Sequence, residues 1–543
     1  MFTKNKFLSV IKNNHSKIGT IMVLFFVISM FLFLYKNIYL MIDSDMSSEL
    51  VLAKQLATEK KLITTNWYYS TELRVLNTQL VFMPLFMILA NWNLVRTLGT
   101  LILVIILWLS FLYFAKGFKI KYSSYLSFLI VGSISLSYYS FVIIGAYYIP
   151  HIIISFFVLG LIARIMNNQK QKNIIRIIVL CLISLLAGMG GLRQLLILYI
   201  PLLITALILF IYDQRKNLVL PKIDVKAKSF KLLTVSFGTI IFAGIGYIIN
   251  SKILSKFIKY QSFEKLHYLP FSFGKIETLI NGVLDTFGYR ANRLIFSKSA
   301  LYLNMMSAIL IGIVIISLIY IYKNRKKLNS GHIFVTMFYI VALITMFATV
   351  IFTDSWYQVR YLLPVTIFFV PVIGIFLTNM DRKFYKTAII LFVVVYAVTA
   401  TWYYLLYTRK NNEKYKEFFD KRESVISTKS EDLIEIKNKL IENKCYNGYS
   451  SYWTANVLTE LSDGEIDVWC FDGTNITEDI FKWLQLTRHS KEAPTGKIFL
   501  ILNEKEKEKV EFKEYDKLNV IYNDKNRTVY TFDSKDELVS NLK

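Results

Sequence analysis

The sequence is poor in cysteine and histidine. Its 543 residues include three cysteines and five histidines. The histidines are scattered and form no closely spaced set of the kind that binds zinc, so a zinc centre is not expected. Cys445 and Cys470 both fall in the last part of the chain, whereas Cys181 lies within an apolar run. Spacing alone leaves open whether Cys445 and Cys470 form a disulfide.

Two further features are lacking: an internal repeat and a cleavable leader. The halves of the chain show no similarity of the kind that many carriers have. The first apolar run is too long for a signal peptide, has no small-residue cleavage site and leads directly into more membrane sequence. We therefore expect it to be a true first membrane helix.

Long apolar runs dominate the rest of the chain. Hydrophobic residues make up 55% and aromatic residues 15% of the sequence, and the mean hydropathy is positive, which exceeds the usual composition of a soluble domain. Runs long enough to cross a bilayer, roughly 17 to 25 residues each, recur up to about residue 407. They predict about eleven transmembrane helices, near residues 18–40, 97–115, 123–143, 150–166, 173–189, 194–212, 230–250, 300–322, 332–352, 361–379 and 387–407.

Basic residues exceed acidic ones, 63 to 38, for a formal net charge of +25. They fall in short clusters between apolar runs, which is typical of cytoplasmic loops, and they do not concentrate on one soluble domain as in nucleic-acid-binding proteins. We expect no nucleic-acid partner. With every cluster inside, the N-terminus is cytoplasmic and the C-terminal domain is extracytoplasmic. The clusters lie near residues 4–17, 116–121, 170–176, 215–231, 323–327 and 382–386.

Two carboxylates, Asp43 and Asp45, follow the first apolar run directly. Carboxylates at a hydrocarbon boundary are unfavourable unless they are solvated or functional, so this pair is the strongest indication of chemistry. The predicted topology places it on the outer face, at the start of an outer loop over residues 41–96. Residues 75–90 of that loop are apolar but interrupted by polar residues, and we expect an interfacial helix there.

A second outer loop, residues 251–300, is unusually basic for its predicted side of the membrane. Its lysines and arginines could attract anionic lipid headgroups. Alternatively, they could bind the phosphate of a lipid-linked substrate, for which the bidentate guanidinium of arginine is well suited.

Three local sequences, in this order and on this face, resemble one family. They are Asp43-Ser44-Asp45 with the segment 49–54 after it, the glycine-rich turn 188–192 ending at Arg193, and Arg360-Tyr361-Leu362-Leu363-Pro364. Together they resemble the GT-C superfamily of polyprenyl-phosphate-dependent glycosyltransferases, nearest its bacterial aminoarabinose and protein-mannosyltransferase-like branch. The resemblance covers about residues 15–410. The family's acidic pair is adjacent, whereas a serine separates the two aspartates here.

The resemblance implies a polytopic α-helical membrane protein with a GT-C-like fold. It also implies an enzyme that moves a sugar from a polyprenyl-phosphate-linked donor to a glycan or lipid acceptor at the cell surface. We expect Asp45 to be the base, with Asp43 as second choice; alternatively, one of them caps the following helix. The expected ligands of the donor phosphate are Arg193, Arg290 and Arg360, which could instead extend to lipid headgroups.

Six further residues are possible substrate contacts, and each has an ordinary structural alternative. Glu72 and Arg74 could form a local ion pair, and Asp285 and Tyr289 could belong to an ordinary loop turn. His151 could be a buried hydrogen-bonded histidine, and Trp356 could be an aromatic residue of the membrane interface. A divalent cation at Asp43 and Asp45 is also compatible with paired carboxylates. The six residues are Glu72, Arg74, His151, Asp285, Tyr289 and Trp356.

Two other functional classes stay open. A transporter or flippase of a lipid-linked or anionic solute also has about a dozen spans and intramembrane polar groups, although the absence of a repeat argues against it. A non-catalytic envelope-assembly protein could keep the same fold.

Residues 410–543 are predicted to form a small extracytoplasmic α/β domain, separate from a membrane domain over residues 1–409. Its stretch 448–453 is rich in aromatic residues, which suit either carbohydrate contact in an exposed loop or the domain core. The hydrophobic patterns predict helices over 430–443, 453–461 and 478–486, and strands over 466–471, 497–502, 518–522 and 528–532.

Overall fold

The structure is a computed structural model and describes most of the chain. The described residues are 4–70, 73, 75–167, 172–215, 228–260, 267–290, 298–354, 357–407, 430–473 and 475–543. The predicted domain boundary at residues 409 and 410 lies outside these ranges.

Helices long and apolar enough to cross a membrane make up the larger part of the described chain. There are nine within the described residues, and a bent pair makes a tenth segment. A shorter apolar helix, Asn173–Gly188, adds another, so each predicted span has a helical counterpart. The nine helices are Ser16–Tyr35, Trp92–Gly117, Ile149–Asn167, Leu192–Gln214, Lys228–Lys256, Leu301–Lys323, Ser330–Phe352, Val359–Asn379 and Lys383–Leu406.

The span predicted at residues 123–143 is not one continuous helix. Ser123–Val131 and Leu136–Ile144 meet at an angle of 79°. In the connecting segment the backbone N–H of Ser133 donates to the Thr401 hydroxyl at 2.7 Å, and the Ser135 hydroxyl accepts from the backbone N–H of Tyr138 at 3.1 Å. Irregular backbone at membrane depth is tolerated only where protein groups satisfy it, and these side chains do so.

A glycine lets the basic outer loop pack against this break. Gly288 follows the helix Phe273–Thr286 and has a φ of 86°. A Cβ at this position would collide with the carbonyl oxygen of Ile134. Since glycine is the residue that accepts both this backbone conformation and this close approach, it brings the start of the Tyr289-Arg290 segment onto the broken span.

The outer loop after the first span begins with the helix Ser44–Glu59. Asp43 is its N-cap residue, and its side chain accepts the backbone N–H of Met46 at 2.9 Å. Asp45 lies in the first turn, not at the cap. A second helix, Gln79–Phe86, falls within the segment for which an interfacial helix was predicted.

The tail contains a five-stranded sheet with helices. The strands of the chain, numbered in order, are β1 Trp67–Tyr69, β2 Lys259–Tyr260, β3 Asn447–Ser451, β4 Asp467–Phe471, β5 Gln485–Leu486, β6 Ile498–Asn503, β7 Asn519–Asn523 and β8 Arg527–Phe532. The order of strands in the five-stranded sheet is β4-β3-β6-β8-β7. In it, β3 pairs in parallel with both β4 and β6, whereas β8 pairs antiparallel with both β6 and β7. The main tail helices are Ser430–Glu442, Tyr452–Leu461 and Lys535–Asn541.

One prediction for the tail is wrong. Residues 478–486 are not a helix, because the backbone there continues the open edge of β4: the N–H of Phe481 donates to the carbonyl of Cys470 at 2.8 Å. Of the two alternatives for the aromatic stretch 448–453, the structure favours the domain core, because the stretch forms the inner strand β3 and the start of the next helix. Tyr449 is accordingly buried.

Both cysteines of the tail are buried, and both are free thiols. Cys445 and Cys470 pack within the same hydrophobic cluster between the sheet and the helices Ser430–Glu442 and Tyr452–Leu461. A free cysteine behaves as a small apolar side chain, so both residues suit a position in the domain core.

The tail is joined to the membrane domain by a small sheet and a buried ion pair. Strand β1 of the outer loop pairs with β5 of the tail and with β2 of the basic loop. Arg96 forms a two-pronged ion pair with Glu460, and both side chains are almost fully buried. Nearby, Asp463 accepts the backbone N–H of Trp92 at 2.7 Å, at the first turn of a spanning helix. These contacts hold the tail directly over Asp43 and Asp45.

Candidate active site

Asp43 is a half-buried carboxylate shortly after the C-terminal end of the first span. Burial raises its pKa to about 6, and the charge of Asp45 adds to this effect. The hydrogen bond from Met46 and the positive charges of Arg96 and Arg360 act in the opposite direction but do not cancel it. A carboxyl group with a pKa near neutrality can both accept and release a proton under physiological conditions.

Asp45 is held by a residue of the tail and by a residue of a late span. Its Oδ1 accepts the hydroxyl hydrogen of Tyr452 at 2.6 Å. Its Oδ2 lies 3.5 Å from Nη1 of Arg360, and each side chain of this ion pair is 25% exposed. The neighbouring Ser44 donates its hydroxyl to the carbonyl of Tyr452. Both carboxylate oxygens of Asp45 therefore have partners.

Arg360 lies in a short turn, Val359–Tyr361, at the start of its span. Besides Asp45, its Nη1 donates to the hydroxyl of Tyr147 at 3.5 Å. Its guanidinium lies over the rings of Phe141 and Tyr361, with distances to the ring centroids of 5.4 and 5.9 Å. Aromatic faces stabilise a cation in a partly desolvated environment, so these two rings stabilise the positive charge of Arg360 at this position.

Arg193 shares an aromatic ring with Arg360. Its guanidinium lies 5.2 Å from the ring centroid of Tyr361 and 5.1 Å from that of Tyr148. The turn before it is built on Gly191, whose φ is 85°, a conformation that favours glycine. Two guanidinium groups are thus close to the Tyr361 ring, and one of them, Arg360, is paired with Asp45.

His151 contacts two residues next to Arg193, Tyr148 in space and Gln194 in the chain. Its ring makes an edge contact with Tyr148, with centroids 5.7 Å apart, and its Nδ1 lies 3.0 Å from Nε2 of Gln194. Two nearby segments are π-helices: Tyr139–Ile144, which contains Phe141, and Leu195–Tyr199, which directly follows Gln194. Such turns are frequent at functional sites.

Arg290 belongs to a different group of side chains. Its Nε donates to Oδ1 of Asp285 at 3.1 Å, and Oδ2 of the same carboxylate accepts from the Ser137 hydroxyl at 2.5 Å. Tyr289 beside it is half-buried. Burial raises the pKa of Tyr357, and the charge of Asp285 adds to that shift, so Tyr357 lies close to this pair. The carboxylate offsets the charge that Arg290 would present to a phosphate.

The structure therefore brings together five of the residues predicted from sequence. A second set stands apart from them, and a third lies outside the described residues. The first set is Asp43, Asp45, Arg193, Arg360 and His151; the second is Asp285, Tyr289 and Arg290; the third is Glu72, Arg74 and Trp356.

Four tyrosines of the site were not among the predicted site residues. Tyr147, Tyr148, Tyr361 and Tyr452 each contact one of the charged groups. Three of them stand within four residues of a predicted site residue in the sequence, which is the one signal that could have indicated them. Tyr452 is more than 400 residues from Asp45 in the chain, and only the docked tail reveals its role.

The predicted divalent cation at Asp43 and Asp45 stays a prediction. Among the described residues, no group of three or more histidine, cysteine, aspartate or glutamate side chains converges. Asp43 and Asp45 are two carboxylates, and Asp45 is also bound by a guanidinium and a phenol. A hard cation at this pair would take its remaining oxygen ligands from water and from a substrate phosphate.

Comparisons with known proteins agree on the fold. No protein-family model matches the sequence, and no curated protein matches it. The apo structure of ArnT from Cupriavidus metallidurans aligns over 94% of this chain and 97% of its own, with a TM-score of 0.58 and 9% identity. The structure of the same protein bound to undecaprenyl phosphate aligns over 94% and 98%, with a TM-score of 0.50 and 9% identity. The chain therefore has a GT-C-like fold, as the sequence resemblance predicted; its described residues include nine to ten apolar helices long enough to span a membrane, followed by a small α/β domain.

Proposed function

We propose that this chain is an integral-membrane glycosyltransferase. It transfers a sugar from a polyprenyl-phosphate-linked donor to a glycan or lipid acceptor on the outer face of the membrane. The observation that carries this proposal is that the guanidinium groups of Arg193 and Arg360 both lie close to the Tyr361 ring, 5.2 and 5.9 Å from its centroid, while Arg360 is paired with Asp45, two residues after Asp43. Cations and carboxylates are thus brought together in one place within a GT-C-like fold.

The reaction requires both kinds of group. The acceptor oxygen or nitrogen forms a bond to the anomeric carbon of the sugar, and the bond from that carbon to the donor phosphate breaks. The phosphate leaves with the electron pair, so positive charge is needed beside it. The acceptor loses a proton, so a carboxylate is needed on the opposite side of the sugar.

We assign the base to Asp43, not to Asp45, which the sequence favoured. Both oxygens of Asp45 are engaged, one by Tyr452 and the other by Arg360. Asp43 has a pKa of about 6 and a single hydrogen bond from the backbone at its cap position. Asp45 acts instead as the anchor that orients Arg360.

The donor phosphate is bound by Arg193 and Arg360. A guanidinium matches a phosphate with two parallel hydrogen bonds, and aromatic neighbours hold its plane in place. Support comes from the structure of ArnT with bound undecaprenyl phosphate, whose fold this chain shares. Arg290, which belongs to the separate group of Asp285 and Ser137, is a secondary candidate.

The sides of the membrane on which the termini and the site lie follow from the predicted topology. The N-terminus lies in the cytoplasm, and the site and the tail lie outside, where surface acceptors and membrane lipids are present. No step of the reaction is assigned to a metal ion.

The decisive experiment uses the purified full-length chain in proteoliposomes with a panel of undecaprenyl-phosphate-linked sugars and a lipid extract as acceptor. Asp43→Asn should lower the transfer rate about 100-fold or more, as expected for loss of a general base. Asp45→Asn should lower it less. Asp381→Asn, an exposed carboxylate far along the chain, is the matched control and should leave the rate unchanged.

Full transfer by the double variant Asp43→Asn/Asp45→Asn would overturn the proposed mechanism. Uphill uptake of a solute by the same proteoliposomes, without sugar transfer, would identify a carrier instead.

A further inference from the structure

We infer a second binding site, for the headgroup of an anionic phospholipid, at the opposite end of the helix bundle from Asp43 and Asp45. This inference does not rest on the proposed glycosyl transfer. It rests on a cavity between the spans, its charge and its apolar wall.

The cavity has a volume of about 680 Å³. It opens where three spans end, Trp92–Gly117, Ile149–Asn167 and Leu192–Gln214, and where two others begin, Lys228–Lys256 and Ser330–Phe352. Three of these helices carry residues of the candidate active site or its tail anchor at their other ends. The cavity is therefore separated from that site by the length of a span, and its size is within the usual range of roughly 300 to 1,000 Å³ for ligand pockets.

The rim of the cavity is strongly cationic. Lys119, Lys228, Arg325 and Lys326 line it, and Asp213 is the sole carboxylate among the described residues that line it. Lys119, Lys228 and Lys326 are exposed, so their ammonium groups are accessible to an anion at the membrane surface. A net positive rim between spanning helices attracts an anionic headgroup, and each lysine or arginine near the surface contributes to the binding.

The deeper wall is apolar. Phe118, Ile162, Met166, Phe334 and Met337 form much of it. A free anion would use only the cationic rim and leave this wall exposed to water. A phospholipid uses both, because its phosphate meets the cations while part of an acyl chain lies along the apolar side chains.

The test uses the purified full-length chain in neutral detergent micelles, titrated with phosphatidylglycerol or with phosphatidylcholine and followed by native mass spectrometry. We expect one phosphatidylglycerol to bind roughly tenfold more tightly than phosphatidylcholine. The double variant Lys119→Gln/Lys326→Gln should lose this roughly tenfold preference. Ile208→Trp, at a 38% exposed residue of the cavity wall, should block the lipid while the cationic rim is intact.

The matched control is Lys121→Gln/Lys327→Gln, which removes two exposed cations of the same region that do not line the cavity. It should keep the preference for phosphatidylglycerol. An equal loss in the control would show diffuse surface attraction and overturn the inference. Equal binding of the two lipids, or displacement of phosphatidylglycerol by millimolar inorganic phosphate, would overturn it as well.

Discussion

The hydroxyl of Tyr452 donates a hydrogen bond of 2.6 Å to Oδ1 of Asp45. Tyr452 begins a helix of the tail, whereas Asp45 lies in the first turn of the helix Ser44–Glu59. The tail is thus part of the site and not a separate attachment. Its position determines how Asp45, and through it Arg360, is oriented.

The first prediction concerns this hydrogen bond. Tyr452→Phe keeps the ring but removes the donor to a charged group, a bond that typically contributes about 1.5–3 kcal/mol. We expect a roughly tenfold fall in kcat for sugar transfer, because Asp45 and Arg360 lose their fixed orientation. Trp453→Phe, at the next residue and 62% exposed, is the matched control; a similar fall in that variant would argue for a general effect on the tail.

The second prediction concerns Arg360. Arg360→Lys keeps the charge but loses the planar fork that binds a phosphate through two hydrogen bonds. We expect binding of undecaprenyl phosphate to weaken about tenfold or more, measured by ligand titration of the purified protein. Arg193→Lys should have an effect in the same direction. Arg382→Lys changes an arginine that also lies over a tyrosine ring, outside the site, and should bind the lipid normally.

The third prediction concerns pH. Asp43 has to be deprotonated to accept a proton, and burial raises its pKa to about 6. The transfer rate should therefore rise with pH through about 6 and level off above about 7. A rate profile that already levels off near pH 4, the ordinary carboxyl range, would contradict the assignment of Asp43 as base.

The same raised pKa has a consequence for stability. The folded protein holds the Asp43 proton more tightly than the unfolded chain, so this group's contribution to the free energy of unfolding decreases as pH rises from about 4 to about 6. Asp43→Asn removes that dependence. The thermal midpoint of the variant relative to the parent should be higher at pH 7 than at pH 4.

The fourth prediction concerns the buried pair of Arg96 and Glu460. Removing one partner leaves an uncompensated buried charge, which typically destabilises by about 3–5 kcal/mol. Arg96→Met should therefore loosen the tail, detected as faster proteolysis and hydrogen exchange over residues 430–543. Arg96→Met/Glu460→Met should restore much of the protection, since no charge is then left unpaired. Lys439→Met breaks an exposed ion pair with Glu442 and should change neither measurement.

Much of the fold could be predicted from the chain because its patterns are local. Each predicted span has a helical counterpart, since the length of an apolar run reports directly on the bilayer. The tail strands β4, β6, β7 and β8 were also predicted, because alternating and apolar runs indicate them. Four strands were missed. The strands β1, β2 and β5 have two or three residues each and pair with segments distant in the chain, and β3, Asn447–Ser451, lies in the aromatic stretch for which no strand was predicted.

The candidate site was predicted in part for the same reason. Asp43, Asp45 and Arg360 belong to short motifs at span ends, and residues at the same ends of neighbouring spans come close together. Arg290 and Asp285 were predicted as separate candidates, and the ion pair between them depends on a turn at Gly288 that fits the broken span.

The sequence by itself determined that this is a polytopic membrane protein with a soluble tail and a carboxylate pair next to its first span, because hydrophobic length and charge distribution are properties of the chain. Only the tertiary structure decided the roles within the pair. Asp43 becomes the desolvated carboxylate of raised pKa, and Asp45 the partner of Tyr452 and Arg360. The physical reason is that burial and hydrogen bonding depend on residues hundreds of positions away, which only the folded chain brings to this point.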